Sequence, residues 1–277
     1  MYLASHPGKR AVERYWLLYT PVWGAVTAVV MLGGLAERWG DLECMLFGLA
    51  LAAGALAGPL LLRVPEERGQ PLHRRAGFKM ALAVTGLAFA LNYSQTPFFW
   101  DVLHMHYGFA TDLTIQNNPV FLYFVSIAYF STYCVLCCVA FRVLRRLARG
   151  RRAAAAAAYL VAPLAMAFLE TALNANPFTR TLFCYDDLPL TLWFGTLAYG
   201  AAFVYALPMW MAIDETPEQR VPAPMVVIFV LAVAYADLLT LDLLRYHVAP
   251  HVTTVVEGAN GLRDVGASCL APIGRGD

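Results

Sequence analysis

One carboxylate, Glu170, lies inside an apolar segment that is long enough to cross a membrane. From Leu160 to Ala175 no other side chain carries a charge. A charge at bilayer depth costs several kcal/mol without a partner, so an acid there is a candidate functional residue. Asn174 follows four residues later and therefore shares a helix face with Glu170. We interpret Glu170 as an acid that its apolar surroundings keep protonated; an acid that caps a backbone or reaches the headgroups is the alternative.

Other polar residues of the apolar segments gather in a few places. Asp242 and Arg245 are spaced i,i+3 near the end of the last apolar segment and can pair on one helix face. A carboxylate beside an arginine stays ionised, whereas an isolated buried acid holds its proton. Glu170 and Asp242 together would give one site an acid and a base. The alternative for Asp242 and Arg245 is an ion pair that only fixes helix packing. The polar clusters are Asn92, Tyr93 and Thr96; Gln116, Asn117 and Asn118; Glu170, Thr171, Asn174 and Asn176; and Asp237, Asp242 and Arg245.

Two patterns suggest a metal site but do not complete one. His104 and His106 alternate in a loop, a spacing that presents both rings on one side of an extended segment. Cys134, Cys137 and Cys138 lie within one apolar segment that contains no histidine or carboxylate. We therefore expect interfacial histidines and small buried thiols, and no metal.

The composition is that of a membrane protein. Of 277 residues, 60% are hydrophobic and 14% are charged, and the mean hydropathy is +0.56. Soluble domains carry about 25% charged residues. The net charge of +1 gives no electrostatic reason to expect a nucleic-acid partner.

A membrane-spanning helix needs about 20 mostly apolar residues. We predict an all-α, polytopic membrane helix bundle with about seven transmembrane helices in residues 1–248, and a loop or tail over 249–277. The third and fifth segments are the least apolar, so six or eight spans are the alternatives. The predicted spans are Tyr15–Ala36, Leu42–Leu62, Phe78–Phe99, Val120–Phe141, Ala153–Asn174, Leu188–Ile213 and Met225–Val248.

Basic residues alternate between loops and indicate an orientation. They concentrate before the first predicted helix, between the second and third, and after the fourth. Because lysine and arginine favour cytoplasmic loops, this pattern predicts a cytoplasmic N-terminus. The loop from Asp214 to Arg220 is acidic although it should be cytoplasmic, and it departs from the pattern. On this topology the ends of helices three, five and seven and the start of helix four face the same side, so the polar clusters can form one pocket.

Several strings in a fixed order resemble cycloeucalenol cycloisomerase, the plant-type cyclopropyl sterol isomerase family. None is diagnostic alone, but their shared order and spacing over nearly the whole chain make the set specific. The strings include HPGKRAVERYWLLYTPVW, LNYSQTPFFWDVL, QNNPVFLYF, FLETALNANPF, LPMWMAIDE and LDLLRYHVAP.

The resemblance implies an intramolecular lyase that opens the 9β,19-cyclopropane ring of a sterol such as cycloeucalenol and gives obtusifoliol. An acid protonates the ring methylene, aromatic faces shelter the cation, and a base removes a proton to leave a double bond. No cofactor and no metal are required, and the expected partners are the sterol and the lipid bilayer.

The resemblance also assigns roles to residues of this chain. Glu170 would be the acid, and Asp242, held by Arg245, its partner carboxylate. The substrate-binding candidates are Asn92, Tyr93, Asn117 and Asn118, which would orient the acid or anchor the sterol, and Tyr19 and Trp23, which would shield the cation. Asp237, His104, His106 and the three clustered cysteines have no counterpart in the plant-type pattern and are set aside.

Two other functions fit the same residues. One is a different sterol isomerase that moves a ring double bond through a similar cation. The other is a proton-coupled lipid transporter or lipid-binding protein, although we find no internal repeat of the kind many transporters have. The expected location is the endoplasmic reticulum in a eukaryote or the cytoplasmic membrane in a bacterium. The sequence leaves the oligomeric state open.

Overall fold

Seven helices that are long and apolar enough to cross a membrane dominate the computed structural model, which describes residues 2–255. This confirms the predicted all-α bundle and its seven spans, and makes the chain an integral membrane protein. The predicted tail, 249–277, lies for the most part outside the described residues. The helices are α1 (Pro7–Leu32), α2 (Asp41–Leu61), α3 (Ala76–Asp101), α4 (Val120–Leu147), α5 (Arg152–Asn174), α6 (Leu188–Ala212) and α7 (Ala223–His251).

Short elements occupy the loops. Strand β1 (Met105–Tyr107) pairs antiparallel with β4 (Phe183–Tyr185), and β2 (Thr114–Ile115) pairs with β3 (Asn118–Pro119). Single 3₁₀ turns lie between α2 and α3, at Pro65–Glu67 and Leu72–Arg74. Helices α6 and α7 each contain a π-helical turn, at Thr191–Gly195 and Leu244–Val248 respectively.

Helix α4 is the central element of the bundle. It packs against α1, α2, α3 and α5, while α6 lies between α5 and α7. Small residues allow the closest approaches, as is usual between membrane helices. A methyl group added at Gly77 of α3 would lie 2.0 Å from the carbonyl oxygen of Pro59 on α2, so only glycine fits there.

A buried cluster of charges ties together one end of the bundle. Arg142 of α4 bonds two carboxylates: its Nη2 lies 2.7 Å from Glu13 Oε1, and its Nε lies 2.7 Å from Glu215 Oε1. Lys9 of α1 is fully buried, and its Nζ lies 2.8 Å from Glu215 Oε2. Burial acts to raise the pKa of Glu215, but the hydrogen bond from Arg142 and the charge of Lys9 outweigh it and lower the pKa.

This cluster explains the acidic loop that departs from the charge pattern. Glu215 pairs with Arg142 and Lys9, and the neighbouring Asp214 pairs with Lys79 of α3. Two of the three carboxylates of the loop are thus the internal partners of basic residues at the same end of the bundle, while the third, Glu218, is exposed. The side of the membrane on which this end lies stays a prediction.

The opposite end carries the strands. Gln116 and Asn117 join β2 to β3 and both have positive φ, 54° and 59°. A two-residue hairpin loop of type I′ requires such values at both central positions, and asparagine adopts them more readily than most residues. The hairpin leads directly into α4 and fixes Asn118 at its start.

Candidate active site

A cavity opens among the helices at the end of the bundle that carries the strands. Residues of α3, α4, α5 and α6 line it, and β1 and β4 close one side. The space free of protein atoms is about 910 Å³, including the part open at its mouth.

The residues that line the cavity follow the periodicity of the helices and strands that carry them. On α3 the lining residues Leu91, Asn92, Gln95, Thr96 and Phe99 recur at helical spacing and form one face. Alternate strand residues also face the cavity, as the two-residue period of a strand requires: Met105 and Tyr107 from β1, and Phe183 and Tyr185 from β4. The π-helical turn of α6 adds Thr191 and Gly195.

Glu170 faces this cavity from α5. Asn174, one turn later, donates from Nδ2 to Glu170 Oε1 at 2.9 Å, as the i,i+4 spacing predicted. Oε2 is shielded from solvent and has no hydrogen-bond partner in the described part of the chain. Among the described residues that line the cavity, Glu170 is the only carboxyl group, and none is lysine, arginine or histidine. The site therefore presents one acid without a counter-ion.

Aromatic rings surround the acid. Tyr129 of α4 and Tyr199 of α6 line the cavity with Phe99 of α3, and the rings of Phe99 and Tyr199 are 6.0 Å apart. Trp23 of α1 lies behind Tyr129, with ring centroids 4.5 Å apart, and its Nε1 donates to Thr132 Oγ1. The walls thus offer π faces to a cation formed inside.

The two strands contribute phenols that stay neutral. Burial raises the pKa of Tyr107 well above its ordinary value, and burial likewise raises the pKa of Tyr185. Neutral phenols add hydrogen-bonding capacity to the cavity without adding a charge.

The polar clusters of α3 and α4 meet beside the cavity. Asn118 is buried and donates from Nδ2 to Asn92 Oδ1 at 2.9 Å and to Thr96 Oγ1 at 3.1 Å. Asn92 in turn donates to the carbonyl of Ala88, and Thr96 to the carbonyl of Asn92. Three of the four predicted polar clusters therefore come together. Much of the hydrogen-bonding capacity of Asn92, Thr96 and Asn118, however, is used within the protein.

Gln95 belongs to none of the polar clusters that the sequence patterns predict. It lines the cavity, and its Nε2 donates to Asp237 Oδ2 of α7 at 3.0 Å. Asp237 is fully buried, and its Oδ1 has no partner in the part of the chain that the structure describes. The available signal was the place of Asp237, a carboxylate within the last apolar segment.

The predicted pair of Asp242 with Arg245 is wrong. Arg245 pairs instead with Asp101 at the end of α3, and Asp242 is exposed and does not line the cavity. Side chains spaced i,i+3 share one face of an α-helix, whereas α7 changes to a π-helical turn from Leu244 to Val248. Its wider turn alters the angular spacing of side chains, which separates the two groups.

Five other candidates do not line the cavity: Asn118 and Trp23 contact residues that do, whereas Tyr93, Asn117 and Tyr19 are placed elsewhere. Tyr93 is 53% exposed, and Asn117 is an exposed residue of the hairpin turn. Tyr19 donates its hydroxyl to the carbonyl of Leu51 on α2, so it joins two helices. Each of the three side chains points away from the cavity, although other residues of α3, of the hairpin or of α1 lie at or near its wall. A role for these three in binding stays a prediction without support from their placement.

His106 of the predicted interfacial pair is buried inside the protein, and its position relative to the membrane interface stays a prediction. As the middle residue of β1 it points away from the cavity and is 1% exposed, packed edge-on against the ring of Trp100 at 5.1 Å. Burial lowers the pKa of His106, although the nearby charge of Asp186 opposes this. Neither ring nitrogen has a partner among the described residues.

The chain is similar to one characterised enzyme over nearly all of its length. It is 28% identical over 270 residues to cycloeucalenol cycloisomerase of Arabidopsis thaliana, and the alignment covers 95% of this chain and 94% of that protein. No family model matches the chain, and no solved structure matches it. The resemblance identified from the sequence is therefore confirmed, and the chain is a distant homologue of that isomerase.

Proposed function

We propose that this protein is a cyclopropyl sterol isomerase that opens the 9β,19-cyclopropane ring of a sterol such as cycloeucalenol. The observation that carries the proposal is Glu170, a carboxyl group with one unpartnered, shielded oxygen in an aromatic-walled cavity within the membrane. The distant homology to cycloeucalenol cycloisomerase supports the choice of reaction.

The cavity suits this class of substrate. A sterol is a flat, rigid hydrocarbon with one hydroxyl, so its site needs apolar walls and few polar anchors. The walls supply phenylalanine, leucine and tyrosine side chains, and the amide and carboxyl groups lie on α3 and α5. Its walls belong largely to helices that are long and apolar enough to span a membrane, and a sterol dissolves in the bilayer that such helices cross.

Glu170 begins the reaction as the acid. In apolar surroundings with no cation beside it, the neutral carboxyl form is favoured, and such a group is a proton donor. It transfers its proton to carbon 19 of the cyclopropane, and the electron pair of the bond between carbons 9 and 19 forms the new C–H bond. Carbon 9 is left as a tertiary cation.

Aromatic faces stabilise that cation and keep water from it. Tyr129, Tyr199 and Phe99 present rings to the cavity. A desolvated cation over such a ring gains about 2 kcal/mol. Sheltering matters because a water molecule in contact with carbon 9 would trap the cation as an alcohol.

The same carboxylate completes the reaction. Loss of the proton on carbon 8 leaves its electron pair as the double bond between carbons 8 and 9. Asp242 is exposed outside the cavity, so it no longer serves as the base. Glu170 became a carboxylate when it gave up its proton in the first step, and it lies at the cavity wall. It therefore acts as the base and takes the proton from carbon 8.

Sterol analysis tests the proposed reaction. The chain is expressed in yeast or bacterial membranes, cycloeucalenol and cycloartenol are supplied, and the products are identified by gas chromatography with mass spectrometry. We expect obtusifoliol from cycloeucalenol, and the yield from cycloartenol measures substrate choice. Return of both sterols unchanged from folded membrane protein would contradict the proposal. Movement of a ring double bond in another sterol would then favour the second type of isomerase.

A further inference from the structure

Gln95 has a free acceptor at the cavity wall. Its side chain is buried, its Nε2 donates to Asp237, and its Oε1 accepts no hydrogen bond from the described residues. An amide carbonyl accepts hydrogen bonds but cannot donate them. Gln95 therefore offers the cavity a group that fits a hydroxyl donor.

Asp237 determines which way the amide is turned. Its Oδ2 lies 3.0 Å from Gln95 Nε2, and an acceptor at that position selects the NH₂ arm of the amide. The carbonyl arm must then point away from Asp237. Because Asp237 is fully buried and belongs to α7, it holds Gln95 from outside the cavity.

The neighbouring polar groups are engaged differently. Asn92, Thr96 and Asn118 bond to one another and to backbone carbonyls. Asn174 is bonded to the Glu170 carboxyl group. The Gln95 amide of α3 thus takes no part in the hydrogen bonds among Asn92, Thr96 and Asn118. The acid, Glu170, lies on α5, and α4 packs against both α3 and α5.

We propose that Gln95 accepts a hydrogen bond from the sterol hydroxyl and that Asp237 is the positioning residue that aims it. The proposal builds on the proposed sterol isomerase function. It adds a second fixed point, so that the substrate is held by its hydroxyl at α3 while its cyclopropane meets the acid of α5. A sterol whose hydroxyl is oxidised to a ketone cannot donate to Gln95 and is disfavoured.

Paired substrates test the anchor. Purified protein in lipid nanodiscs is given cycloeucalenol or its 3-ketone, and kcat and KM are measured for each. A buried acceptor left without its donor lowers kcat/KM about tenfold, so we expect the wild type to prefer the alcohol by that factor. In Gln95→Leu the preference should fall to about threefold or less, mainly through a higher KM for the alcohol.

Two substitutions of Asp237 separate positioning from packing. Asp237→Asn keeps an oxygen that accepts from Gln95 Nε2, so it should keep the preference for the alcohol. Asp237→Leu removes that acceptor and should lose the preference as Gln95→Leu does. A purely structural role would change both sterols equally. If Asp237→Leu does not fold, Gln95→Leu and Asp237→Asn still give the comparison.

The outcomes distinguish this proposal from the proposed function. If the wild type opens the ring but Gln95→Leu keeps the full preference, the anchor is overturned and the isomerase function stands. If Asp237→Asn loses the preference, the positioning role of Asp237 is overturned. If the wild type opens no ring, the proposed function fails, and equilibrium binding of the two sterols tests the anchor: preference for the alcohol lost in Gln95→Leu supports it, and equal binding overturns it.

Discussion

Replacing Arg142 by methionine should strongly destabilise the bundle. The guanidinium makes hydrogen bonds to Glu13, to Glu215 and to the carbonyl of Tyr2. Lys9 remains beside Glu215 in the variant, but Glu13, whose side chain is 1% exposed, keeps among the described residues only the backbone N–H of Ala4.

The magnitude follows from the uncompensated charge that the substitution leaves. Removing one partner of a buried ion pair costs about 3–5 kcal/mol. For chains of about 150–250 residues, 1 kcal/mol shifts the melting temperature by about 2–4 °C, so we expect a fall of about 6–20 °C. Thermal unfolding in detergent at pH 7.5, followed by circular dichroism, measures it.

A second variant shows whether charge is the cause. Glu13→Gln in the Arg142→Met background removes the orphaned charge and should recover about 2 kcal/mol or more. Arg145→Met, an exposed arginine three residues along the same helix, is the matched control and should shift the melting temperature little. An Arg142→Met shift of less than about 3 °C, or a double variant as unstable as the sum of the single ones, would refute the reasoning.

Three further predictions concern packing, pH and the cavity. Gly77→Ala places a methyl group against Pro59 and should cost about 1–3 kcal/mol, measured as a lower melting temperature in the same assay; an unchanged value would contradict the tight α2–α3 contact. His106 has a lowered pKa in the folded state, so unfolded chains bind more protons and stability should fall as pH drops below about 6.5; His106→Phe should abolish that dependence in melts at pH 5.5 and 7.5. Tyr199→Leu removes a cavity ring worth about 2 kcal/mol and should lower kcat about thirtyfold, whereas Tyr199→Phe, which keeps the ring, should lower it much less; equal losses would argue against cation stabilisation.

The spans could be predicted because bilayer thickness and hydrophobicity act locally along the sequence. The position of Glu170 in the fifth span and its bond to Asn174 follow from helical spacing alone. The meeting of the α3, α4 and α5 clusters follows from alternating topology, since the two ends of each helix lie on opposite sides.

The remaining parts depend on features that spacing does not contain. The π-helical turn in α7 separates Asp242 from Arg245, and no residue type in that turn predicts a π-helix. Asn117 lies in a hairpin turn that needs positive φ, and this backbone requirement accounts for an asparagine at that position. Gln95 is a candidate because its amide is bonded to Asp237, which is 142 residues away in the chain, and local spacing does not predict such a contact.

The central claim is that Glu170 is the proton donor for ring opening. The most direct measurement is the initial rate of obtusifoliol formation from cycloeucalenol by purified wild type, Glu170→Gln and Asp242→Asn in nanodiscs. We predict that Glu170→Gln binds the sterol but forms no measurable product, because an amide cannot supply the proton, and that Asp242→Asn turns over like the wild type because Asp242 is exposed outside the cavity. Wild-type turnover by Glu170→Gln, or loss of turnover in Asp242→Asn, would contradict this account.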